Sequence, residues 1–260
     1  MRGITLAVAD GESVAVIGQN GAGKTTMSKM INGLLKPSTG TVRVDGVDTR
    51  ERTAAQTARV VGYVFQNPDD QIFHSTVAGE ISYGLKRLKL DPEESRRRVE
   101  EAATLCGLAG SLEENPYDLP LSVRKFVTIA LVIALDPPVL ILDEPTAGQD
   151  LAGLERIAAI VGEMSGRGKA VLTITHDMEF VAENVARVVV MAKGQVVTDG
   201  PAERIFYDHE ALAAARLNQP VLAELASALG AEQVGLGADA LAEWVLARRR
   251  GAGGSTTRLR

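Results

Sequence analysis

A glycine-rich turn between an apolar strand and a helix constrains this chain more than any other feature. The stretch GQNGAGKT covers residues 18–25 and follows the apolar run SVAVI of residues 13–17. Glycines let backbone N–H groups turn inward towards an anion, and a helix that starts there adds the positive end of its dipole. This pattern is typical of a loop that binds the phosphates of a nucleotide between a strand and a helix.

The side chains of this loop suit a nucleoside triphosphate and a bound cation. Lys24 can reach the β- and γ-phosphates with its ammonium group, and the hydroxyl of Thr25 can ligate Mg²⁺. The sequence therefore predicts ATP and Mg²⁺ as cofactors. The residues that we expect around the phosphates are consecutive: Gly18, Gln19, Asn20, Gly21, Ala22, Gly23, Lys24, Thr25 and Thr26.

A second strand delivers two adjacent carboxylates. The run VLIL of residues 139–142 is apolar on both faces, as a parallel strand buried on both sides should be. Asp143 then lies at the carboxyl end of this strand, beside the phosphate loop, where it can hold Mg²⁺. Glu144 follows directly and can polarise an attacking water as a general base. Together with the phosphate loop, this pair predicts hydrolysis of ATP.

Two further polar residues follow predicted strands. Gln66 ends the run VGYVF and can sense the metal ion or the water, and His176 follows AVLTIT and can hydrogen bond a γ-phosphate. Each residue on its own is also typical of an ordinary polar loop. The candidate catalytic residues are therefore Glu144, His176, Gln66 and Lys24, and the candidate metal ligands are Thr25, Gln66 and Asp143.

Strands alternate with helical segments along much of the chain. Besides the two strands above, apolar runs at residues 60–65, 170–174 and 188–191 predict strands. The stretch TGTVRVDGVD predicts a strand with a turn at Asp45 and Gly46. Such alternation favours an α/β fold with a parallel sheet core.

Two regions depart from this alternation. Residues 67 to about 121 are predicted to form a mostly helical insert, in which Asp91 caps a helix that begins at Pro92. Beyond residue 200 the chain is rich in alanine, with leucines at helical spacing. The sequence thus predicts a nucleotide-binding domain of residues 1–200 and a helical extension of residues 201–260 that ends in a basic, flexible tail.

Bulk properties limit the partners of the chain. The net charge of −5 is a poor match for nucleic acid, so we expect no nucleic-acid partner. Cys106 is the only cysteine, which excludes an intramolecular disulfide and fits a reducing cytosol. The longest apolar run, residues 126–135, is shorter than the about 20 residues that cross a bilayer. We therefore expect the chain to serve a membrane process only by docking on a partner.

The order of these motifs resembles that of ABC-transporter ATPases over nearly the whole chain. Residues 18–25 correspond to the Walker A motif, Gln66 to the Q-loop and residues 139–145 to the Walker B motif. TAGQD of residues 146–150 corresponds to the D-loop, and ITHD of residues 174–177 to the H-switch. The resemblance implies a P-loop NTPase fold and ATPase activity.

The same resemblance implies a role for each matching residue. Lys24 and Thr25 would bind phosphate and Mg²⁺, and Asp143 would hold Mg²⁺. Glu144 would be the catalytic base, and His176 would be the γ-phosphate switch. Gln66 would couple the site to a membrane partner, and Asp150 would make a contact across a dimer interface.

A finer resemblance rests on FQNPDDQIF, residues 65–73, which is similar to the Q-loop region of energy-coupling factor ATPases. These proteins power the uptake of vitamins and transition metal ions, and they carry a similar helical C-terminal extension. The resemblance implies an importer of a small nutrient, with an integral membrane transporter subunit, a substrate-capture membrane protein and a second ABC ATPase as partners. It also implies a peripheral location at the cytoplasmic face of the cell membrane.

The chain departs from the family at the signature motif LSGGQ, which contacts the ATP of a second subunit in a head-to-tail dimer. LPLSV of residues 119–123 stands in its place. Pro120 has neither a hydroxyl nor a backbone N–H, and Leu121 adds bulk where close approach is needed. Ser122 can compensate as a helix cap if the loop shifts. We therefore expect a heterodimer with an ATPase that has an intact signature.

A second departure concerns the first residues. The family begins with a strand and an aromatic residue that stacks on adenine. MRGITL resembles the family's LRGITL, which lies partway through this region rather than at its start. We therefore expect that the start is too late, or that the missing strand is supplied elsewhere.

Two other functions stay open. A soluble ABC ATPase of DNA repair has a long coiled coil between its Walker motifs, for which this chain has no room, and translation types usually carry two cassettes. A regulatory subunit that hydrolyses ATP poorly fits the altered signature, although the intact Glu144 and His176 oppose it. The choice of transported substrate lies in another subunit.

Overall fold

A central sheet and a small hairpin make up the β-structure of residues 1–252, which the computed structural model describes. The strands are β1 (Ser13–Ile17), β2 (Arg43–Val44), β3 (Val47–Asp48), β4 (Val61–Val64), β5 (Val139–Asp143), β6 (Ala170–Ile174), β7 (Arg187–Ala192) and β8 (Gln195–Pro201). The central sheet has the order β4-β5-β6-β1-β7-β8, and all its neighbours are parallel except β7 and β8. The predicted α/β fold with a mostly parallel sheet core is confirmed.

The α-helices fall where the alternation and the two departures from it predicted helical structure. They are α1 (Lys24–Ile31), α2 (Ala54–Thr57), α3 (Val77–Tyr83), α4 (Pro92–Leu105), α5 (Leu121–Ala134), α6 (Leu151–Gly166), α7 (Met178–Asn184), α8 (Ala202–Ile205), α9 (His209–Ala215), α10 (Val221–Leu229) and α11 (Ala238–Ala252). Within residues 1–252, none of them is long and apolar enough to cross a membrane. The division into domains at residue 200 stays a prediction, and the end of the predicted tail, residues 253–260, lies outside the described residues.

The alternation of side chains along β1 explains why this strand lies in the middle of the sheet. Ala15 and Ile17 contribute to one apolar cluster, which includes Phe126 of α5. Val14 and Val16 contribute to a second cluster on the opposite face, as the two-residue period of a strand requires. Because all of these side chains are fully buried, both faces of the sheet are covered.

The register of the strands determines which loops meet. Ile174 pairs with Val16 of β1 on one side and with Asp143 of β5 on the other. The carboxyl ends of these three parallel strands therefore lie side by side, which is where α/β proteins place their ligands. The segments that follow β1, β5 and β6 carry the phosphate loop, Glu144 and His176.

Local predictions in the hairpin and the insert are also confirmed. Asp45 and Gly46 connect β2 to β3 with φ values of 51° and 72°, and such two-residue turns need positive φ at both positions. Asp91 caps α4, since its Oδ1 accepts a 2.8 Å hydrogen bond from the N–H of Glu94. Cys106 directly follows α4 and is fully buried, and this burial raises the pKa of its thiol.

The helical extension packs through its alanines. Ala223 and Ala226 of α10 are fully buried, whereas Leu225 and Leu229 are 47% and 42% exposed. The leucine spacing thus predicts the helix correctly but not the face that it buries. A helix at the surface of a sheet domain can approach closely only where its side chains are small, and in α10 the alanines supply that face.

Candidate functional site

The loop after β1 takes a conformation that requires its glycines. Gly18, Gly21 and Gly23 have φ values of 155°, 82° and 107°, which side chains other than glycine rarely adopt. A Cβ atom on Gly18 would lie 2.3 Å from the carbonyl oxygen of Met191, so the loop also approaches β7 too closely for any side chain. The loop therefore exposes its backbone, as a phosphate site needs.

Lys24 begins α1 and turns back over this loop. Its side chain is buried, and Nζ donates hydrogen bonds to the carbonyl oxygens of Gly18 at 2.5 Å and Gln19 at 3.3 Å. Burial lowers the pKa of the Lys24 ammonium group, while the negative charges of Glu144 and Asp143 act in the opposite direction. The role of Lys24 as a phosphate-binding residue stays a prediction.

Asp143 ends β5 and is held by Tyr63, which was not among the predicted site residues. The hydroxyl of Tyr63 in β4 donates a 2.5 Å hydrogen bond to Oδ2 of Asp143, and it lies 3.2 Å from Oγ of Ser28 in α1. Burial and the hydrogen bond to Asp143 raise the pKa of Tyr63 well above its usual value, so the phenol remains a donor. The signal for Ser28 was its position four residues after Lys24, on the same face of α1.

Glu144 is fixed by its backbone and by His176. The residue has a φ of 49°, its N–H donates to the carbonyl of Ile174 at 2.7 Å, and its Oε2 lies 2.8 Å from Nδ1 of His176. The Glu144 side chain is 8% exposed, whereas that of His176 is 70% exposed. A buried carboxylate is thus paired with an imidazole that remains open to the solvent.

A buried lysine supports the same segment from α5. Nζ of Lys125 donates to the carbonyl oxygens of Glu144 at 2.7 Å and Ala147 at 3.1 Å. Burial lowers the pKa of the Lys125 ammonium group, and the charges of Glu144 and Asp143 oppose this effect. Lys125 was not among the predicted site residues, because it directly precedes the apolar run of residues 126–135 beside another basic residue, Arg124, and no motif marks it.

The segment in place of the signature motif begins α5. Pro120 occupies the N-cap position without a capping side chain, and Leu121 is 57% exposed. Ser122 lies within the first turn of α5 and does not cap it in this structure, and its compensation after a shift of the loop stays a prediction. The cap position falls to Pro120 because α5 starts at Leu121, one residue before Ser122.

Two further predicted residues, Gln66 and Asp150, are exposed. Gln66 is exposed beyond the end of β4, and a neighbouring glutamine, Gln71, makes the hydrogen bond to the N–H of Phe65 at 3.1 Å. Asp150 is exposed and caps α6 through a 2.8 Å hydrogen bond from the N–H of Gly153. The roles that the resemblance implies for these two residues stay predictions.

The helical extension reaches both sides of the site. Nε2 of Gln19 in the phosphate loop donates a 2.9 Å hydrogen bond to the carbonyl of Arg216, which ends α9. The N–H of Val221 donates to Oε1 of Glu179 at 2.7 Å, and Glu179 lies in the helix after His176. The extension is therefore in direct contact with the loops that follow β1 and β6.

The oxygen donors at this edge of the sheet fit Mg²⁺. Asp143 offers a carboxylate whose Oδ1 takes no hydrogen bond from residues 1–252, and the exposed Thr25 offers a hydroxyl. The described residues contain no group of three or more His, Cys, Asp or Glu side chains that could hold a metal ion by themselves. This suits Mg²⁺, which usually takes one or two protein ligands together with water and substrate phosphates.

Comparisons with known proteins place these features in a family. The family described as ABC transporter matches residues 1–147. The energy-coupling factor transporter ATP-binding protein EcfA1 of Methanospirillum hungatei is 39% identical over 224 residues, which cover 86% of this chain and 81% of that protein. A Methanosarcina mazei protein, provisionally named as an ABC transporter ATP-binding protein, is 40% identical over 226 residues, and this chain spans only 38% of its length.

Solved structures agree with the sequence relatives. The structure of cbiO1 from Clostridium perfringens, described as part of the ABC transporter complex cbiONQ, superposes with a TM-score of 0.75. It is 33% identical, and the match covers 86% of this chain and 91% of cbiO1. The predicted resemblance, with its P-loop NTPase fold and its ATPase class, is thereby confirmed. The chain belongs to the family of ABC transporter ATPases.

Proposed function

We propose that the chain binds ATP with Mg²⁺, hydrolyses it, and thereby powers an energy-coupling factor importer of a small nutrient, a vitamin or a transition metal ion. The observation that carries this proposal is the contact between the buried Glu144 and His176 at the edge of the sheet that also holds Lys24 and Asp143. A base, a phosphate-binding cation and a metal ligand converge there, which is the set that phosphoryl transfer needs.

The residues divide the reaction between them. Lys24 and the N–H groups of the loop would bind the phosphates, and Thr25 and Asp143 would hold Mg²⁺, which when bound would supply positive charge to the phosphate oxygens. Glu144 orients the attacking water and accepts its proton. His176 fixes the Glu144 carboxylate through Nδ1, and its exposed ring can meet a γ-phosphate oxygen through Nε2.

The partners follow from the relatives and from the surface beside Gln66. One relative is named as an energy-coupling factor ATPase, and another is part of a transporter complex. Phe65 adjoins Gln66 in the sequence, and the hydroxyl of Tyr117 donates to the carbonyl of Ile72, the residue before Phe73. Phe65, Phe73 and Tyr117 are 37%, 59% and 46% exposed, and exposed aromatic residues are enriched at protein interfaces. We assign this surface to an integral membrane transporter subunit, which would hold the chain peripherally at the cytoplasmic face of the membrane, beside a substrate-capture membrane protein.

The altered signature supports a heterodimer. In a head-to-tail dimer, Pro120 and Leu121 would face the ATP bound by the partner, where a hydroxyl and backbone N–H groups are needed. A second ATPase with an intact signature would complete the site built from Lys24 and Glu144. The opposite site would bind ATP but hydrolyse it slowly. We also propose that the nucleotide-binding domain ends at Gly200 and that the helical extension begins after it.

The test is to isolate the tagged chain from its native membranes in a mild detergent and to measure Mg²⁺-dependent ATP hydrolysis by the complex. We expect a second ABC ATPase and integral membrane subunits in stoichiometric amounts, and hydrolysis that stops in EDTA. A complex without membrane subunits would contradict the importer, and a membrane complex that does not hydrolyse ATP would contradict the enzymatic role.

A further inference from the structure

A buried ammonium group lies behind the catalytic edge of the sheet. Lys125 in α5 is only 3% exposed, and both of its hydrogen bonds go to backbone carbonyls rather than to a carboxylate. A lysine is almost never fully buried unless its charge is matched by well-placed partners. Since an apolar residue of similar length would fill the same volume without this cost, the two carbonyls are the reason for a lysine here.

The first of these carbonyls belongs to Glu144 itself. Glu144 has a φ of 49°, in the left-handed region that residues with side chains seldom adopt. Its peptide groups are held on both sides, because the N–H donates to Ile174 at 2.7 Å and the carbonyl accepts from Lys125 at 2.7 Å. Without the lysine, this carbonyl would keep only the long 3.4 Å hydrogen bond from the N–H of Ala147, and the left-handed turn would lose its shorter contact.

The second carbonyl extends the contact along the chain. Nζ of Lys125 also binds Ala147, and Nε2 of Gln149 donates a 3.1 Å hydrogen bond to the carbonyl of Ser122. The segment from Glu144 to Gln149 is thus attached to the first turns of α5 at two points. Helix α5 starts within the segment that stands in place of the signature motif.

We propose that Lys125 is a positioning residue, which holds the left-handed backbone of Glu144 so that its carboxylate points at the attacking water and which ties this carboxylate to the start of α5. The inference rests on the proposed role of Glu144 as the general base. In this arrangement a displacement of α5 against the partner subunit reaches the backbone of Glu144 directly through the ammonium group of Lys125. Both hydrogen bonds of Lys125 go to backbone carbonyls behind the site, so we expect nucleotide binding not to depend on it.

The experiment uses Lys125→Met, which keeps the length of the side chain but removes its donors, in the isolated transporter complex. We expect kcat to fall by about tenfold or more, because small displacements of a catalytic group have effects of that size. The Kd for ATP and the KM are expected to stay within about twofold of the wild-type values, because they reflect binding and not the position of the base. Lys125→Gln, which retains an amide donor, is expected to keep more activity and serves as the second variant if Lys125→Met does not fold.

Lys36→Met is the matched control. Nζ of Lys36 also donates to two backbone carbonyls, those of Thr49 and Arg52, but it has no contact with Glu144. Lys36 is exposed, so the control tests the loss of a lysine that donates to two backbone carbonyls outside the site. We expect it to leave kcat unchanged, so a loss that is specific to Lys125 reports on the contact with Glu144.

A double-mutant cycle separates positioning from general stability. In a Glu144→Gln background, Lys125→Met is expected to cause no further loss of single-turnover hydrolysis, since there is no base left to position. An equal loss in both backgrounds, or wild-type kcat in Lys125→Met, would overturn the proposal for Lys125 alone. Wild-type kcat in Glu144→Gln would overturn the assignment of the base, and the proposal for Lys125 with it.

Discussion

The phenol of Tyr63 and the carboxylate of Asp143 form a 2.5 Å hydrogen bond between neighbouring strands, although they are 80 residues apart in the chain. The contact fixes the orientation of the carboxylate that we propose as a ligand of Mg²⁺. A phenol whose pKa is raised by burial and by this bond stays protonated across the physiological pH range. Asp143 therefore has a permanent donor on Oδ2, and Oδ1 is left for the metal ion.

Tyr63→Phe is expected to weaken Mg²⁺ binding roughly five- to tenfold, because one hydrogen bond to a charged group is removed. The measurement is Mn²⁺ binding by electron paramagnetic resonance in the presence of ATP. Tyr117→Phe is the control, since the hydroxyl of Tyr117 donates to the carbonyl of Ile72 at 2.8 Å, away from the carboxylates. Unchanged cation affinity in Tyr63→Phe would show that the orientation of the Asp143 carboxylate does not depend on the hydrogen bond from Tyr63.

Glu144→Gln is expected to leave ATP binding intact and to slow turnover by about 10²–10⁴-fold, the usual effect of losing a general base. Phosphate release and binding of a fluorescent ATP analogue measure the two quantities in the same preparation. Glu163→Gln removes a carboxylate from an exposed pair with Arg167 and is expected to be neutral. Wild-type turnover in Glu144→Gln would refute the assignment.

Restoring small residues at the start of α5 tests the asymmetry of the dimer. The double change Pro120→Ser and Leu121→Gly is expected to raise turnover at the partner's nucleotide by roughly tenfold or more, because it adds a hydroxyl and a backbone N–H to an anion site. Turnover at that nucleotide is read in a background in which Glu144→Gln silences the other site. No gain in that background would show that the altered signature is not what limits hydrolysis.

Arg187→Gln tests an ion-pair network that joins the turn before β1 to β8. Nη1 of Arg187 lies 2.7 Å from Glu12, and Nη2 lies 2.7 Å from Asp199. Because these groups are partly exposed, we expect the free energy of unfolding to fall by only about 1 kcal/mol at neutral pH. Arg167→Gln is the control, since its pair with Glu163 is more exposed.

The pH dependence of this loss has a defined direction. Burial raises the pKa of Glu12, but hydrogen bonds from the N–H of Ala9 and from Arg187 outweigh it, so the pKa lies below its ordinary value of 4.5. A carboxyl group whose pKa is lower in the folded protein than in the unfolded chain stabilises the fold at pH values above its unfolded pKa. This stabilisation is lost as the pH falls through its folded pKa. The difference in thermal stability between Arg187→Gln and the wild type should therefore shrink below about pH 4.5. A difference that grows in acid would contradict the network.

Motifs that depend on short-range spacing could be predicted from the sequence. The glycines of the phosphate loop, the turn at Asp45 and the carboxylates after β5 each follow from a pattern within a few residues. Tyr63 and Lys125 could not be found in this way, because each lies in an apolar element and its partner is brought to it only by the packing of the sheet. The exposure of the leucines of α10 could not be predicted either, because the spacing of residues defines a face of a helix but not whether that face is buried.

The hydrogen bond from Gln19 to the carbonyl of Arg216 makes the phosphate loop a shared component of two surfaces. A ligand that alters this loop changes the free energy of the contact with α9. By thermodynamic reciprocity, a molecule that displaces Arg216 would then change the affinity of the protein for nucleotide. Nucleotide would change the affinity of the protein for that molecule by the same factor. Nucleotide binding that alters the Gln19 contact would thus be linked in both directions to the position of the extension.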